Sequence, residues 1–493
     1  MILGLSAGFH DAGATLIAPN GNILFAGHSE RYSGIKNDPH LNIELINDAL
    51  SYGKPTEIAW YEKPFLKKTR QLYSGETAKA FDFSNTPRKQ VNRLLGNLPI
   101  KYYSHHLSHA AAGFQTSPFD SAVCIVVDAI GEWDTISVWE CSYKSVYLGK
   151  PRAVYKKIWS QKYPHSLGLF YSAITDYVGL KAMEDEYILM GMAAYGTPYL
   201  ESYDKCLALV TDDTKCTFID NFHTGIPEQY FERTDKYDLA AGAQKVIEQL
   251  LKNLVKKFCN RKNNLVLMGG VALNCVANEK LHGLCNELWI MPNPGDCGSS
   301  LGAAALSYGK KLNWKGPYLG HNIKGKYPID SIIGELISNK IVGVASGRAE
   351  FGPRALGTRS LLADPRGEEI KDKVNEIKRR QKFRPFAPMI LEEHMLDNFQ
   401  VYKQQKEPYM QCVYKCLKPK EYPAIIHYDG SSRVQTVGKD DHPDVRALLE
   451  KWYFLTGCPM LLNTSLNIKG EPMVNNRADA DRFEKRYGIK VCS

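Results

Sequence analysis

The feature that most constrains the fold of this sequence is a change in its alternation of strand-like and helix-like stretches near residue 310. Up to that point the chain alternates between apolar strand-like stretches (SAVCIVVDAIG, NLVLMGGVAL) and helix-like stretches (AGAQKVIEQLLKNLVKKF). This alternation predicts an α/β domain built around a central sheet. A segment rich in Gly, Pro and Lys follows at 310–328, and a second α/β block begins after it. Because 493 residues also exceed one ordinary core, we predict two domains, 1–318 and 319–493.

Composition narrows the class of protein. The apolar fraction of 44% and the charged fraction of 23% are ordinary for a globular chain, and no apolar run reaches the roughly 18 residues of a membrane span. The start, MILGLSAGFHDAGATL, lacks the features of a signal peptide. Twelve cysteines without a CxxC pair, several of them inside apolar runs, are typical of buried thiols in a reducing compartment. We therefore predict a soluble, cytoplasmic protein with no membrane partner.

The formal charge of +9 favours anionic ligands without choosing among nucleotide, phosphate and nucleic acid. Much of the excess lies in 63–101, which holds nine basic and two acidic residues. Four aromatic residues are interleaved there, Phe65, Tyr73, Phe81 and Phe83. Surfaces that follow a nucleic-acid backbone and stack its bases have this pattern, with Lys67, Lys68 and Arg70 as candidate phosphate contacts. A solvated helical surface with buried aromatics is the alternative, and the generic meaning of basic patches favours it.

The stretch YSHHLSHAAAGF contains two histidines four residues apart, His105 and His109. On a helix they share a face and could present both imidazoles to one metal ion. The Glu of an HExxH motif is absent, and such pairs are also ordinary surface or capping residues. Asp128 ends the apolar strand AVCIVV, and Asp296 lies in the Gly-rich turn NPGDCGSS, where α/β folds place ligands. Two His and two Asp suit Fe(II), Mn(II) or Zn(II).

The second block carries cations suited to phosphate chemistry. In GRAEFGPRALGTRS, Arg348, Arg354 and Arg359 lie among Gly and Pro, a context in which guanidinium groups can fork onto phosphate oxygens. Further polar candidates are Lys378 and Arg384 in NEIKRRQKFRPFAP, Arg433 in SSRVQT, and Asn463, Ser465 and Asn467 in NTSLN. The run KRRQKFR by itself favours a solvated basic helix, although its continuation into FRPFAP argues against that interpretation.

Eight stretches from the first domain almost to the C-terminus carry a further signal: HHLSHAAAGF, VVDAIGEWDT, PHSLGLFYSAIT, MGGVALNCVANEKL, GDCGSSLGAA, EFGPRALGTRSLLADPR, KFRPFAPMIL and LLNTSLNIKGEP. In this order they resemble the O-carbamoyltransferases of nodulation-factor and antibiotic tailoring. The resemblance implies an N-terminal actin-like ATPase-type (ASKHA) domain, similar to the tRNA threonylcarbamoyl transferase. It implies a C-terminal α/β domain similar to the synthase of threonylcarbamoyl-adenylate.

The resemblance also implies the reaction and the site. ATP and carbamoyl phosphate would give carbamoyl-adenylate and pyrophosphate, and the carbamoyl group would then move to an acceptor hydroxyl. The metal ligands would be His105, His109, Asp128 and Asp296, with Fe²⁺ favoured over Mn²⁺ or Zn²⁺. The adenylate-forming pocket would consist of Arg354, Lys378, Arg384, Arg433, Ser465 and Asn467. Mg²⁺ would accompany the phosphates of ATP.

Two further groups of residues complete this interpretation. The stretch MGGVALN lets backbone N–H groups approach a nucleotide closely, which makes Gly269, Gly270 and Asn274 candidate nucleotide contacts. A pair of glycines also marks an ordinary tight turn. The stretch GFHDAGA places His10 and Asp11 on the first turn, where the family has a His–Asp pair, so they are candidates for the base at the acceptor hydroxyl. A capping Asp beside an incidental His is the alternative.

One departure from the family pattern lies in DEYILMGMAAYG, where relatives carry a lysine and this chain has Ile188. We therefore assign no cationic role to that segment. His165 of PHSLGL also matches the family, and we assign no role to it. Two acceptors remain open: a small hydroxylated metabolite such as a sugar or antibiotic, and a hydroxymethylated pyrimidine in DNA, held by the basic segment 63–101. A non-catalytic nucleotide or metal sensor on an actin-like scaffold is the alternative of a different class, and the full set of phosphate-binding candidates argues against it.

Overall fold

The computed structural model describes residues 1–83, 86–146, 149–197, 201–401 and 406–493. The chain divides into two units. Unit 1 comprises Met1–Ser29 and Asn37–Lys315, and unit 2 comprises Glu30–Lys36 and Gly316–Ser493. Each unit combines helices with mixed β-sheets, which confirms the predicted α/β class.

The strands of unit 1 are β1 (Ile2–Ser6), β2 (Gly13–Ile17), β3 (Ile23–His28), β4 (Glu57–Trp60), β5 (Ile100–Tyr102), β6 (Ser121–Gly131), β7 (Asp134–Val146), β8 (Gly149–Lys162), β9 (Val210–Asp212), β10 (Thr217–Phe218), β11 (Leu265–Met268) and β12 (Leu288–Trp289). Helix α1 (Glu30–Ser33) lies in the short piece of unit 2. The helices of unit 1 are α2 (Ile43–Ser51), α3 (Pro64–Tyr73), α4 (Thr77–Phe81), α5 (Pro87–Leu95), α6 (His105–Thr116), α7 (Leu167–Tyr177), α8 (Glu186–Met192), α9 (Glu201–Leu207), α10 (Lys236–Phe258), α11 (Cys275–Glu279) and α12 (Ser299–Tyr308).

Unit 1 contains two five-stranded sheets with the same topology. The first has the order β3-β2-β1-β4-β5, in which β1, β2 and β3 pair antiparallel and β4 and β5 continue parallel to β1. The second has the order β8-β7-β6-β11-β12 with the same directions. The sequence shows no repeat, so the duplication is visible only in the fold. It agrees with the actin-like fold that the resemblance implies.

Two helices rich in small residues, α6 and α12, pack between these sheets. Helix α6 packs against β6 and β11 of the second sheet, α12 packs against β1, β2 and β4 of the first, and the two helices contact each other. A Cβ on Gly302 of α12 would lie 1.7 Å from the backbone oxygen of Ser108 on α6. Only glycine permits so close an approach of two backbones. The composition of HHLSHAAAGF and SSLGAAALSY is therefore a requirement of the fold as well as of the site.

In unit 2 the strands are β13 (Tyr318–Ile323), β14 (Ile341–Ala345), β15 (Gly347–Glu350), β16 (Arg359–Ala363), β17 (Ala387–Leu391), β18 (Val413–Lys415), β19 (Ser431–Arg433), β20 (Gln435–Val437), β21 (Met460–Ser465) and β22 (Val491–Cys492). The helices that follow α1 there are α13 (Ile329–Asn339), α14 (Glu368–Ile377), α15 (Met395–Asn398), α16 (Pro443–Thr456) and α17 (Arg477–Tyr487). Six strands form one mixed sheet in the order β20-β17-β21-β16-β14-β22. Apolar residues of this sheet and of α13, α14, α16 and α17 build one continuous core.

Two further predictions concern the chain as a whole. Among the helices that the structure describes, none has the length and apolar character needed to cross a bilayer. All twelve cysteines lie in described parts of the chain and are unpaired, and eleven of them are buried. The thiols therefore behave as their apolar surroundings in the sequence predict, while the cytoplasmic location stays a prediction.

Candidate functional site

Two imidazoles and two carboxylates meet at the beginning of α6. The Nε2 atoms of His105 and His109 are 3.1 Å apart. Oδ2 of Asp128 lies 3.2 Å from Nε2 of His105 and 3.4 Å from Nε2 of His109. Oδ1 of Asp296 lies 3.3 Å from both nitrogens. The structure thus brings all four predicted ligands together, with one ligand atom from each residue within 4.8 Å of the others.

The elements of unit 1 explain this convergence. The histidines are one helical turn apart on α6, Asp128 is on β6, and Asp296 begins a short 3₁₀ turn that leads into α12. Oδ1 of Asp128 accepts hydrogen bonds from the backbone N–H groups of Ala129 at 2.9 Å and Gly270 at 3.2 Å. Because these two donors hold Oδ1, the other carboxylate oxygen is directed at the histidines.

The electrostatics of the cluster favour a positive charge at its centre. Burial lowers the pKa of His105, but the carboxylates of Asp296 and Asp128 outweigh burial and hold that pKa well above its usual value. Burial raises the pKa of Asp128, but hydrogen bonds from His105 and His109 outweigh it and hold that pKa well below its usual range. A divalent cation fits this donor set, since two carboxylates balance its charge and the nitrogen and oxygen donors suit Fe(II), Mn(II) and Zn(II).

A carboxylate from outside the cluster supports the first turn of α6. Ser104 precedes the helix and makes no side-chain cap. Instead Oε1 of Glu132, in the hairpin between β6 and β7, accepts hydrogen bonds from the backbone N–H groups of His105 at 3.2 Å and Lys63 at 2.6 Å. Glu132 is buried and has a φ of +60°, a conformation uncommon for a residue with a side chain. The sequence gives no signal for this role beyond the position of Glu132 in VVDAIGEWDT.

The three predicted nucleotide contacts have other partners in the structure. Gly270 donates its N–H to Asp128, and Gly269 adopts a φ of +90° at which a Cβ would lie 2.2 Å from the backbone oxygen of Val127. The Asn274 side chain is buried, and it exchanges hydrogen bonds of 2.9 Å and 3.1 Å with the amide of Gln244. These contacts give each of the three residues a structural role, and their contact with a nucleotide stays a prediction.

His10 and Asp11 lie in the turn between β1 and β2. Nε2 of His10 is 3.0 Å from the backbone oxygen of Met183. A carbonyl oxygen only accepts hydrogen bonds, so Nε2 carries the proton and Nδ1 of the neutral ring carries the lone pair. Asp11 has a φ of +56°, and its Oδ1 lies 3.7 Å from Nδ1 of His28. His10 therefore offers a ring nitrogen that could act as a base, and the catalytic role of both residues stays a prediction.

In unit 2, three predicted pocket residues come together. Nζ of Lys378 donates to the backbone oxygen and Oγ of Ser465 and, at 2.9 Å and 3.0 Å, to the backbone oxygen and Oδ1 of Asn467. Lys378 is only 4% exposed, so its assignment to a solvated basic helix is wrong. Burial lowers the pKa of Lys378, and the charges of Arg380 and Arg384 lower it further. Lys378 therefore organises the NTSLN turn.

The predicted arginines separate into two groups. Arg354, Arg384 and Arg433 are partly exposed, as phosphate contacts must be. Arg359 differs from expectation, because it is fully buried and its guanidinium donates to the backbone oxygens of Asn475, Ser346, Thr358, His321 and Gly347. Arg348 similarly donates to the backbone oxygens of Gly320 and Leu319. Arg348 and Arg359 therefore stabilise the fold and do not fork onto phosphate here.

In the basic segment 63–101 the aromatics are exposed, as a stacking surface predicts, whereas the three candidate phosphate contacts are paired within the chain. The aromatics are not buried, since Phe65 is 76% and Phe81 68% exposed. The three candidate phosphate contacts have internal partners: Lys67 pairs with Glu62 at 2.9 Å, Lys68 donates to the backbone oxygens of Ala80 and Asp82, and Arg70 pairs with Glu76 at 2.6 Å. The cations left at the surface of α5 are Arg88, Lys89 and Arg93.

Ile188 and His165, the two remaining positions compared with the family, both have structural roles in unit 1. Ile188 is 2% exposed on α8, so the side chain at this position belongs to the core of the described structure. Nδ1 of His165 accepts a hydrogen bond of 3.2 Å from the backbone N–H of Phe218, and burial lowers the pKa of His165. His165 thus connects the segment before α7 to β10.

Two family models match the chain. The model described as carbamoyltransferase N-terminus matches residues 61–305, and the model described as carbamoyltransferase C-terminus matches residues 333–492. An uncharacterized protein of Synechocystis sp. is 33% identical, with 98% of this chain and 93% of that protein covered. Nodulation protein NolNO of Sinorhizobium fredii is 29% identical over 96% of this chain and 76% of its own. Nodulation protein NolO of Bradyrhizobium diazoefficiens is 30% identical over 76% and 75%.

Solved structures show weaker likeness. Component A of (R)-2-hydroxyglutaryl-CoA dehydratase from Acidaminococcus fermentans is 16% identical with a TM-score of 0.36, and it covers 62% of this chain and 97% of its own. HypF from T. kodakarensis is 13% identical with a TM-score of 0.35, over 62% of this chain and 47% of its own.

Proposed function

Because the chain belongs to the carbamoyltransferase family, we propose that it is an ATP-dependent O-carbamoyltransferase with one reaction step in each unit. In unit 2, carbamoyl phosphate and ATP give carbamoyl-adenylate. Atom balance requires water to release the phosphoryl group of carbamoyl phosphate as inorganic phosphate. The remaining carbamate oxygen then attacks the α-phosphorus of ATP and expels pyrophosphate.

The polar residues of unit 2 support the first step. Both co-substrates are polyanions, so their reaction needs fixed cations and donors at the transferring phosphorus. Lys378 holds Ser465 and Asn467 in one turn, and the partly exposed Arg354, Arg384 and Arg433 supply guanidinium groups for the phosphates. Mg²⁺ accompanies ATP in this step.

In unit 1, the acceptor hydroxyl attacks the carbamoyl carbon of carbamoyl-adenylate, and AMP leaves. Nδ1 of His10 takes the hydroxyl proton, because Nε2 already donates to the carbonyl of Met183. His105, His109, Asp128 and Asp296 would hold a divalent ion, with Fe²⁺ favoured. When bound, this ion supplies Lewis-acid polarisation of the carbonyl or phosphate oxygen of the mixed anhydride.

The observation that carries the proposal is the convergence of these four side chains in a chain of this family. Two imidazoles and two carboxylates whose ligand atoms all lie within 4.8 Å of one another form a donor set that suits a divalent cation. The convergence supports a metal-dependent transfer site in unit 1, distinct from the residues of unit 2 that would form the adenylate. The unpaired cysteines support a cytoplasmic enzyme.

The proposal is tested by following products with the purified, metal-loaded protein. ATP and carbamoyl phosphate should yield pyrophosphate, phosphate and carbamoyl-adenylate, with AMP appearing when an acceptor is added. Mass spectrometry of hydroxymethylated DNA and of a panel of sugars and antibiotics, each incubated in this mixture, identifies the acceptor. Absence of pyrophosphate release in every mixture would refute the adenylate route.

A further inference from the structure

We propose that Glu186 is a positioning residue for His10 and acts on it through the backbone of Met183. The inference rests on the proposed function, in which Nδ1 of His10 accepts the proton of the acceptor hydroxyl. It assigns a role to the segment DEYILMGMAAYG, which lacks the lysine of the family and for which the proposed reaction has no other use.

The first link joins Glu186 to Met183. Oε1 of Glu186, in the first turn of α8, accepts the backbone N–H of Met183 at 2.6 Å and the hydroxyl of Ser172 at 2.5 Å. Met183 has a φ of +65°, in the left-handed region that a residue with a side chain rarely occupies. Such a conformation persists only where surrounding contacts impose it. The carboxylate of Glu186, fixed by Ser172, is the side-chain acceptor that helps to impose it here, together with the backbone turn in which the oxygen of Lys181 accepts from Glu184 and Asp185.

The second link joins Met183 to His10. The left-handed turn directs the carbonyl of Met183 at Nε2 of His10, 3.0 Å away and 173 positions earlier in the chain. A neutral imidazole has one donor nitrogen and one acceptor nitrogen. Because Nε2 must be the donor to this carbonyl, Nδ1 is the acceptor, which is the state that a general base requires. Glu186 therefore sets both the orientation and the tautomer of a histidine that it does not touch.

The helix that carries Glu186 is itself firmly anchored. Ile188 and Leu189 are 2% and 0% exposed, so they hold the first turn of α8 against the core of unit 1. The apolar residue at the position of the family's lysine thus contributes to the anchoring of Glu186. This placement makes Glu186 part of a rigid element, as a residue that orients a base needs to be.

Replacing Glu186 with Ala removes the acceptor for the N–H of Met183. Met183 then relaxes from the left-handed region, and Nε2 of His10 loses its partner. We expect carbamoyl transfer from supplied carbamoyl-adenylate to fall about 100-fold, the effect of misplacing a catalytic group by about 1 Å. Glu186→Gln keeps an oxygen acceptor and should restore most of the rate. Pyrophosphate release in the first step should be unchanged in both variants.

The matched control is Glu184→Ala, at the residue that precedes this segment. The carboxylate of Glu184 pairs with the exposed Lys181 at 2.5 Å. We expect this variant to transfer at the parental rate. A loss of transfer in Glu184→Ala equal to that in Glu186→Ala would show that the segment responds to any change, and would overturn the specific role of Glu186.

The ring state of His10 is read directly by ¹⁵N NMR of histidine-labelled, metal-loaded protein, with His10→Gln identifying the signals. In the parent we expect a proton on Nε2, and in Glu186→Ala a mixture of both tautomers. A slow Glu186→Ala variant with an unchanged tautomer would overturn the inference, as would an unchanged transfer rate. If His10→Gln itself transfers normally, the proposed base is wrong, and this outcome is separate from a failure of Glu186 alone.

Discussion

The backbone N–H of His105 donates a hydrogen bond of 3.2 Å to the carboxylate of Glu132. The side chain of Glu132, from the hairpin between β6 and β7, therefore supports the first turn of the helix that carries the two candidate histidine ligands. We expect Glu132→Ala to weaken metal binding by about 10- to 100-fold, the usual cost of losing a group that orients a ligand. Glu132→Gln retains an acceptor oxygen and should bind metal nearly as the parent does. Competition with a chelating dye measures both affinities. Glu140→Ala removes an exposed carboxylate of β7 that pairs with Lys156, and equal weakening in this control would contradict the prediction.

His109→Ala should abolish metal binding and carbamoyl transfer while the fold is retained, because four ligands that converge on one ion are rarely replaceable. Metal content per folded protein, with far-UV circular dichroism, measures this outcome. His106→Gln is the matched variant, since Nδ1 of His106 bonds to Oγ of Ser137 and not to the cluster. Full metal content in His109→Ala would refute the assignment. Chelation followed by separate additions of Fe²⁺, Mn²⁺ and Zn²⁺ identifies the ion that restores transfer.

Lys378→Met should abolish formation of carbamoyl-adenylate and lower the free energy of unfolding by about 2 kcal/mol, since several hydrogen bonds from Nζ to the turn at Ser465 and Asn467 are lost. Pyrophosphate release and chemical denaturation measure the two effects. Lys382→Ala, at an 81% exposed side chain only four residues away, should change neither. Normal pyrophosphate release by Lys378→Met would remove the residue from the first step.

Arg384→Ala separates the two units functionally. The side chain is partly exposed, so its loss should abolish formation of carbamoyl-adenylate with little effect on stability. The same variant should still transfer the carbamoyl group from supplied carbamoyl-adenylate, because no residue of unit 1 is changed. Loss of both activities would mean that the steps are not divided between the units as proposed.

The surface cations of α5 test whether the acceptor is a nucleic acid. If it is, replacing Lys89 and Arg93 together with Ala should lower the slope of log affinity against log salt by about 2, one for each phosphate contact. Arg70→Ala should instead lower the free energy of unfolding by about 2 kcal/mol, since the buried guanidinium pairs with Glu76. Binding titrations with the nucleic acid at several salt concentrations measure this slope for the parent and the variants. An unchanged slope in the double variant would exclude this surface from acceptor binding.

Gly302→Ala should destabilise unit 1 by about 3 kcal/mol, because the added Cβ meets the backbone of Ser108. Gly334→Ala in α13 is the matched control, since a Cβ there has no described neighbour within 4 Å. It should stabilise unit 2 by about 1 kcal/mol through helix propensity. Chemical denaturation measures both, and similar effects at the two glycines would contradict the close helix contact.

The sequence predicts those parts of the site that lie on periodic elements. Strand β6 coincides with the apolar run that ends near Asp128, and the histidine spacing on α6 follows from the helical period. Their convergence was a prediction from chemistry and resemblance, and the structure places the four side chains together. For each of these residues the local sequence pattern is sufficient to predict the element that carries it, because a single strand or helix determines where the residue lies.

Contacts through the backbone could not be predicted. Gly270 donates to Asp128 across 142 positions, and Met183 accepts from His10 across 173. Neither the type nor the spacing of these residues signals the pairing, because any residue offers the same N–H and C=O groups. For the same reason Lys67 and Arg359 were expected to meet phosphates, while the fold surrounds them with internal acceptors.

The contact between Gly302 and Ser108 also bears on the precision of the candidate metal site. No side chain separates the two helices there, so the distance between α6 and α12 is fixed by direct contact of their backbones. His105 lies one turn before Ser108, and Asp296 lies six residues before Gly302. The contact therefore sets the spacing between a histidine ligand carried by one helix and a carboxylate ligand that precedes the other, and a substitution that separates the helices should pull these two ligands apart.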